Sequence, residues 1–152
     1  MTIWRPHPGI RAKALCLHWR RDRLLAAEVR DDAGQLKGVR PLGGTIEFAE
    51  TAQAAVIREF QEELGVEVHT IGPPMFMENL YVHEGEQGHE ILVIFDVAFP
   101  EGAFANRSRI TFVEDNGTEC TAGWFALEEL DQPGGPELFP TGLKARLLSK
   151  RA

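Results

Sequence analysis

Three glutamates, Glu59, Glu62 and Glu63, stand close together in the segment REFQEELG, residues 58–65. Spacings of three and four residues place such side chains on neighbouring turns of a helix, where each like-charge pair costs about 0.2–0.5 kcal/mol. Carboxylates in a last helical turn also face the negative end of the helix dipole, which costs about 0.3–1 kcal/mol each. A bound divalent cation would offset these costs, and an all-oxygen ligand set favours a hard ion such as Mg²⁺ or Mn²⁺.

The glutamates belong to a helix predicted over residues 51–64, with Thr51 as its N-cap and Gly65 just past its end. At about 100° per residue, one stripe of this helix holds four residues: Ala52, Val56, Glu59 and Glu63. The stripe begins apolar, as a core-facing surface should, and then becomes acidic on the same side. Arg58 can offset part of this charge through a contact with Glu62, four residues on.

The alternative interpretation of an E-x-x-E-E run is a solvated helix surface, which is common in proteins. Two observations favour a metal site instead. The acidic residues lie on the inward stripe, and the paired glycines Gly43 and Gly44 precede the helix, where they allow a bend or a close approach of the backbone.

The elements that must position the helix are mostly strands. Periodicity predicts strands over residues 10–19, 23–29, 66–71, 75–82, 90–99, 110–113 and 122–125, and a second helix over residues 140–150. Gly72-Pro73-Pro74 is expected to end one strand, and the polar segment HEGEQGH, residues 83–89, to form a loop. The run ILVIFDVAF is apolar on both faces and indicates a central strand. Strands and two helices in this order predict an α/β protein whose mixed sheet packs between helices.

Composition excludes several functional classes. A chain of 152 residues suits one domain, and its net charge of −7 disfavours nucleic acid and anionic membranes as partners. No apolar stretch is long enough to span a bilayer, and the first residues lack the features of a signal peptide. Cys16 and Cys120 form neither a zinc spacing nor a disulfide framework, and Cys16 is expected to be a small buried hydrophobe. These features together predict a cytoplasmic protein.

The spacing of the glutamates resembles a known family pattern. Residues 44–66 read GTIEFAETAQAAVIREFQEELGV and resemble the Nudix box, G-x5-E-x7-R-E-U-x-E-E-x-G-U, in which U is a bulky aliphatic residue. Two positions depart mildly, since Phe60 is an aromatic in an aliphatic position and Ala49 stands where glycine is common. Eight fixed positions are in register: Gly44, Glu50, Arg58, Glu59, Glu62, Glu63, Gly65 and Val66.

The resemblance implies a Nudix fold, which is an α/β/α sandwich with a mixed central sheet, in a single domain over residues 1–152. It also implies divalent-metal-dependent hydrolysis of the pyrophosphate linkage in a nucleoside diphosphate joined to another moiety. The cofactor would be Mg²⁺ or Mn²⁺, and the partner a small-molecule nucleotide derivative. Dimers are common in the family, so a homodimer remains open.

Residue roles follow from the same resemblance. Arg58 would orient the carboxylates, and Glu50 would support the site through Arg58. Glu59 is the first candidate for the general base and Glu63 the second. Family members bind the metal through the box, which here implies four ligands: Glu59, Glu62, Glu63 and the carbonyl of Gly44.

A further glutamate outside the box assists in some family members, a few residues before a tryptophan in a late strand. Glu119, five residues before Trp124, is the best match, and Glu114 is the second. A solvated loop glutamate is the alternative interpretation for either residue.

Two residues are candidates for substrate binding. Arg40 directly precedes PLGG and could reach a substrate phosphate, although a surface arginine is the alternative. Tyr81 resembles a tyrosine that contacts the base in some dinucleoside-polyphosphate hydrolases, although a half-buried strand tyrosine explains it equally well.

Other residues have simpler interpretations. His83 and His89 flank a glycine-bearing loop, and without further ligands in range they are expected to be ordinary loop and strand histidines rather than a metal pair. Core packing, rather than a pocket for a base, is expected for three aromatic residues: Trp4, Phe76 and Phe95.

One alternative function belongs to another class, namely a Nudix-fold nucleotide-binding or regulatory module without catalysis. Such modules usually lose box carboxylates, and this box has all of them. The substrate remains open among ADP-ribose, dinucleoside polyphosphates, nucleotide sugars and oxidised nucleoside triphosphates.

Overall fold

A computed structural model describes residues 3–114 and 116–151. Within these residues the chain forms two α-helices, α1 (Ala52–Leu64) and α2 (Leu143–Arg151), and a 3₁₀ turn at Leu127–Glu129. The same residues form ten strands: β1 (Ile10–Leu17), β2 (Trp19–Arg20), β3 (Arg23–Arg30), β4 (Leu36–Arg40), β5 (Gly43–Thr45), β6 (His69–His83), β7 (Glu86–Ala98), β8 (Arg109–Val113), β9 (Glu119–Ala126) and β10 (Glu137–Leu138).

The strands form two mixed sheets, where the sequence predicts one. The first has the order β5-β1-β7-β6, with β1 and β7 parallel and the other pairs antiparallel. The second has the order β10-β4-β3-β9-β8, with β2 paired to β3 and with β10 parallel to β4. The predicted α/β class is confirmed, and the division into two sheets is the correction.

Two hydrophobic clusters form the core, one on the side of each helix. The α1-side cluster contains Ala14, Cys16, Leu25, Leu42, Ala55, Val56, Phe60, Val68, Phe95, Val97, Ile110, Phe112, Ala122 and Trp124. The α2-side cluster contains Leu15, Leu17, Leu24, Ala26, Val39, Leu92, Ile94, Leu127, Leu130, Leu138, Leu143 and Leu147.

Alternation along the strands explains why there are two clusters. Leu15 and Cys16 of β1, and likewise Leu24 and Leu25 of β3, belong to opposite clusters because successive side chains point to opposite faces. Burying one such leucine contributes about 1.5–3 kcal/mol. The strands therefore form a layer between α1 and α2, which is the α/β/α arrangement.

The run ILVIFDVAF occupies β7, the strand between β1 and β6. Leu92 and Ile94 are buried on one face, and Phe95 and Val97 on the other. The prediction of a central strand covered on both faces is confirmed. Cys16 is also buried, as predicted.

Gly72-Pro73-Pro74 does not end a strand, contrary to the prediction. Strand β6 continues through it from His69 to His83, and the pairing with β7 shifts register between Ile71 and Met75. Strand β6 lies at the edge of its sheet, where proline is tolerated because one side needs no backbone partner. The tripeptide therefore makes an irregularity in an edge strand.

The predicted loop at residues 83–89 is also wrong. His83 pairs with Glu86, which leaves only Glu84 and Gly85 as the turn between β6 and β7. Both turn residues have positive φ angles, 51° and 79°, as the two-residue hairpin turns that match strand twist require.

Of the three aromatic residues expected in the core, Phe95 alone is buried. The side chain of Phe76 is 62% exposed on edge strand β6, and Trp4 is 38% exposed. The ring of Trp4 packs on Tyr81 and His83.

Among the residues that the structure describes, no helix combines the length and apolar character needed to cross a lipid bilayer.

Candidate active site

Helix α1 begins and ends at the predicted residues. The Thr51 hydroxyl accepts a hydrogen bond from the Ala54 N–H at 3.1 Å. Gly65 follows the helix with a φ of 67°, and its N–H donates to the Gln61 and Phe60 carbonyls. These caps satisfy backbone groups that the helix leaves unpaired, so the position of the glutamates in the last turns is well defined.

The chain before the helix approaches it closely at a glycine. Strand β5 pairs with β1, which places Gly44 opposite Ala14. A Cβ atom on Gly44 would collide with the carboxylate of Glu59, so this carboxylate lies directly on the Gly44 backbone. A Cβ on the neighbouring Gly43 would collide with the backbone of Ala14.

Arg58 connects the loop before the helix to the acidic face of the helix. Its Nε and Nη2 donate to the two carboxylate oxygens of Glu50 at 2.7 and 2.9 Å, and Nη2 also reaches the Thr45 carbonyl at 3.1 Å. Its Nη1 donates to Glu59 Oε1 at 2.9 Å and to Glu62 Oε2 at 3.4 Å. One guanidinium thus bridges three carboxylates.

This arrangement shifts two pKa values. The hydrogen bond from Arg58, followed by the backbone N–H of Glu47, lowers the pKa of Glu50 to about 2. The pKa of Arg58 is raised, chiefly by its hydrogen bond to Glu50. Both groups therefore stay charged at neutral pH, and the bidentate pair fixes the loop to α1.

The box glutamates differ in burial. Glu59 is only 6% exposed, Glu63 is half-buried, and Glu62 is exposed. A narrow crevice beside them is lined by Leu42, Gly43, Glu59, Phe60, Glu63 and Leu64. Burial raises the pKa of the Cys16 thiol well above its usual value, and the negative charges of Glu63 and Glu59 raise it further. Both carboxylates therefore lie within electrostatic range of Cys16 on β1.

The structure brings Glu114, rather than Glu119, towards the box. The Glu114 carboxylate accepts a hydrogen bond from Cys120 Sγ at 3.2 Å. Burial, then the charge of Glu114 and its hydrogen bond, then the charge of Glu63 raise the Cys120 pKa to about 12. Cys120 packs against the α1-side cluster, so the adjacent and exposed Glu119 points to the opposite face of β9.

The two substrate-binding candidates occupy one region between the sheets. Arg40 is not a free surface arginine, because its side chain is 21% exposed and donates to buried Glu90 at 2.8 Å. Tyr81 is a half-buried strand residue, and burial followed by the charge of Glu90 raises its pKa to about 12. Its ring is nearly parallel to that of Trp4, with 6.5 Å between the centroids.

Sequence reasoning missed the residues around Arg40. Buried Glu90 also accepts a hydrogen bond from Asn79 Nδ2 at 3.0 Å, and it forms an ion pair with Lys13 Nζ at 3.4 Å. The available signal was a glutamate at the start of an otherwise apolar strand, because a buried carboxylate requires partners.

His83 belongs to another cluster, and His89 lies elsewhere on β7. Over residues 3–114 and 116–151, one group of three His, Cys, Asp or Glu residues has ligand atoms within 4.8 Å of one another, namely Asp32, His83 and Glu84. Cations already occupy this group, because Lys37 Nζ lies 3.0 Å from His83 Nδ1 and Arg5 pairs with Asp32. Ion pairing explains the cluster.

The carboxylates around α1 are spread more widely, since no three of them come within that distance of one another in the described part of the chain. Their donor chemistry still fits a hard divalent cation. Glu59, Glu63 and Glu114 are oxygen donors on one side of α1, and Arg58, which pairs with Glu59, is shared with Glu50. A set of carboxylate oxygens of this kind suits Mg²⁺ or Mn²⁺.

Comparison with solved structures gives the same fold. The E. coli ORF135 protein matches with a TM-score of 0.63 and 21% identity, over 94% of this chain and 91% of that chain. A MutT NUDIX hydrolase from Burkholderia pseudomallei matches with a TM-score of 0.60 and 21% identity, over 91% of this chain and 97% of that chain. A UDP-X diphosphatase matches with a TM-score of 0.59 and 14% identity, over 96% of this chain and 64% of that chain.

No curated protein sequence matches this chain. The family model for the NUDIX domain, however, matches residues 9–142, which is most of the chain. This match confirms the resemblance seen in the box, and the family generally uses divalent metals to act on small-molecule nucleotide derivatives. The chain therefore belongs to the Nudix family and is a hydrolase that acts on pyrophosphate bonds.

Proposed function

We propose that the chain hydrolyses the pyrophosphate linkage of a nucleoside diphosphate joined to another moiety, and that it depends on Mg²⁺ or Mn²⁺. The observation that carries this proposal is the placement of Glu59. Glu59 is 6% exposed, and its carboxylate lies against the Gly44 backbone and is oriented by Arg58. Arg58 is shared with Glu50 and Glu62, so one guanidinium serves three carboxylates and a divalent cation would add the positive charge that a buried acidic group requires.

Four groups of the box would hold the metal, together with one glutamate outside it. Glu59 and Glu63 are the principal ligands, the Gly44 carbonyl is next to Glu59, and exposed Glu62 is a further ligand on the same helix. For the ligand outside the box we propose Glu114 in place of Glu119, because Glu114 faces Cys120 and the α1 side while Glu119 points away.

When bound there, a divalent cation would supply Lewis-acid chemistry, which would draw charge from the phosphorus and orient water for in-line attack. A carboxylate beside it accepts the proton of that water, and Glu59 is our first candidate for this base, with Glu63 second. Arg58 is a positioning residue, since it contacts Glu50, Glu59 and Glu62. Glu50 keeps Arg58 in place through the bidentate pair.

A substrate screen tests this function. The chain would be incubated with Mg²⁺ or Mn²⁺ and with ADP-ribose, dinucleoside polyphosphates, nucleotide sugars or oxidised nucleoside triphosphates. A coupled phosphatase would release inorganic phosphate from the products, and this phosphate would be measured. At least one class should be hydrolysed, and only with metal. Glu59→Gln should lose about 10²-fold or more, as removal of a group acting on the transition state does.

Glu67→Gln is the matched control, because Glu67 is an exposed glutamate just beyond α1. It should hydrolyse the same substrate at the rate of the unmodified chain. Calorimetry that shows nucleotide binding without turnover of any substrate would contradict the proposed function and favour a binding module.

A further inference from the structure

A buried ionic cluster around Glu90 has no role in the mechanism above. Glu90 is 2% exposed, and its carboxylate contacts Arg40 at 2.8 Å, Asn79 at 3.0 Å and Lys13 at 3.4 Å. Desolvation of such charges costs several kcal/mol per ion, so stability alone is a weak reason for this arrangement.

Four strands place these residues together. Lys13 is on β1, Glu90 on β7, Asn79 opposite Glu90 on β6, and Arg40 ends β4. Lys13 and Glu90 stand two residues from Leu15 and Leu92, which belong to the α2-side cluster, so their side chains extend from that same face. The cluster is thus part of the sheet framework and is rigidly held.

The charges in the cluster do not balance. Two cations share one carboxylate. Burial lowers the pKa of Lys13, and repulsion by the positive charge of Arg40 lowers it further. Both side chains keep some solvent contact, with 24% of Lys13 and 21% of Arg40 exposed. A small anion could therefore reach them and would relieve the excess positive charge.

The cluster is connected with the proposed metal site and with an aromatic pair. Lys13 is opposite Thr45 of β5 and interacts electrostatically with Glu114, a proposed metal ligand. Tyr81 lies within electrostatic range of Glu90 and Arg40, and Trp4 packs on Tyr81.

We propose that Lys13 and Arg40 bind the phosphate on the nucleoside side of the substrate's pyrophosphate, and that Tyr81 and Trp4 contact its base. Glu90 and Asn79 are positioning residues for the two cations. This assignment rests on the proposed function, because it supposes that the substrate is a nucleotide derivative. It accounts for an anion site in a chain with a net charge of −7.

Equilibrium binding of AMP, GMP, CMP and UMP in the presence of EDTA tests the assignment without metal or turnover. Lys13→Met and Arg40→Gln should each weaken the tightest of these complexes about tenfold, the effect of losing one charge-assisted hydrogen bond. Arg40→Lys keeps the charge and should lose less than Arg40→Gln.

Two controls remove one positive charge far from the cluster. Arg23→Gln affects an exposed arginine paired with Glu129, and Lys150→Met affects an exposed lysine paired with Asp96. Both should bind the monophosphate as the unmodified chain does. Equal binding by all variants, or equal losses in the controls, would overturn the assignment.

Tryptophan fluorescence supplies a measurement that does not depend on the stability of the cluster variants. The nucleotide that binds tightest should change the emission of the unmodified chain, and Trp4→Phe should abolish that change while Trp19 and Trp124 remain. An unaltered response in Trp4→Phe would refute contact between Trp4 and the base.

Failure of the proposed function gives a different result. The chain would then hydrolyse nothing in the substrate screen, whatever the pattern of monophosphate binding across the variants.

Discussion

Gly43 and Gly44 have different structural roles at the active site. The Cβ of an alanine at position 44 would meet the end of the Glu59 side chain, which can move, whereas one at position 43 would meet the backbone of Ala14, which cannot. The close approach at Gly44 therefore serves the position of a carboxylate. The approach at Gly43 serves the pairing of β5 with β1.

Alanine substitution should separate these two effects. Gly44→Ala should displace Glu59 and lower hydrolysis about 10²-fold with little change in thermal stability. Gly43→Ala should destabilise the fold by about 1–3 kcal/mol, as overpacking does. Rates and urea unfolding curves of both variants check this. Equal activity losses at equal stability would contradict the distinction.

The backbone conformation at Ala49 explains why glycine is common at this position of the box. Its φ of 67° lies in the left-handed region, where an L-residue with a Cβ is strained by roughly 1–2 kcal/mol and glycine is not. The position where glycine is common in the family is therefore one that demands this backbone conformation.

Ala49→Gly should stabilise the chain by about 0.5–1 kcal/mol, because relief of strain exceeds the extra freedom of glycine in the unfolded state. Chemical denaturation checks this value. A destabilised Ala49→Gly variant would show that the loop tolerates alanine without strain.

The site residues differ in whether the sequence alone could identify them. The glutamates and Arg58 could be assigned because the box places them within 23 consecutive residues. The cluster of Lys13, Arg40, Asn79 and Glu90 could not, because its members are distant in the sequence and only the pairing of four strands brings them together.

Among the elements, helix α1 and the loop before it act as a unit. The Glu50–Arg58 pair joins them, and the same arginine holds Glu59. Catalytic geometry is therefore coupled to a pair of charges that does not contact substrate in our proposal.

The Glu50–Arg58 pair should make the stability of the folded chain depend on pH. The pKa of Glu50 is lowered to about 2 in the folded chain, below the usual glutamate value of about 4.3. Its stabilising contribution is therefore complete above the unfolded value and is lost as pH falls towards 2.

Melting temperatures of the unmodified chain and Glu50→Gln, measured between pH 6 and pH 2, test this prediction. The unmodified chain should be the more stable one at pH 6, and the difference should shrink as pH falls from 4.5 to 2. A difference that stays constant over this range would contradict the role of Glu50.

Elements with local signals were predicted well, and those that depend on context were not. Thr51 and Gly65 mark the ends of α1 because caps act through neighbouring backbone groups. Gly72-Pro73-Pro74 was misinterpreted because its effect depends on whether β6 is a central or an edge strand. Phe76 was placed in the core for the same reason, since an edge strand leaves its side chain exposed.

Across the whole molecule, both sheets contribute to both core clusters. Strands β1 and β3 supply alternating residues to the α1-side and α2-side clusters, so neither cluster can form without the other. We therefore propose that residues 1–152 constitute one cooperative domain.

Differential scanning calorimetry should show a single unfolding transition whose calorimetric and van't Hoff enthalpies agree. Leu25→Ala in one cluster and Leu24→Ala in the other should both lower the midpoint of that same transition, because each costs about 2–5 kcal/mol. Two resolved transitions, each sensitive to one variant, would contradict a single domain.

The central claim is that the inward carboxylates of α1 are a metal site. A crystal soaked in Mn²⁺ tests it most directly, through the anomalous signal of the ion. We predict a peak bridging Glu59 and Glu63 near the Gly44 carbonyl, which Glu59→Gln weakens and Glu67→Gln leaves intact. The absence of an anomalous peak between these carboxylates at saturating Mn²⁺ would contradict the account.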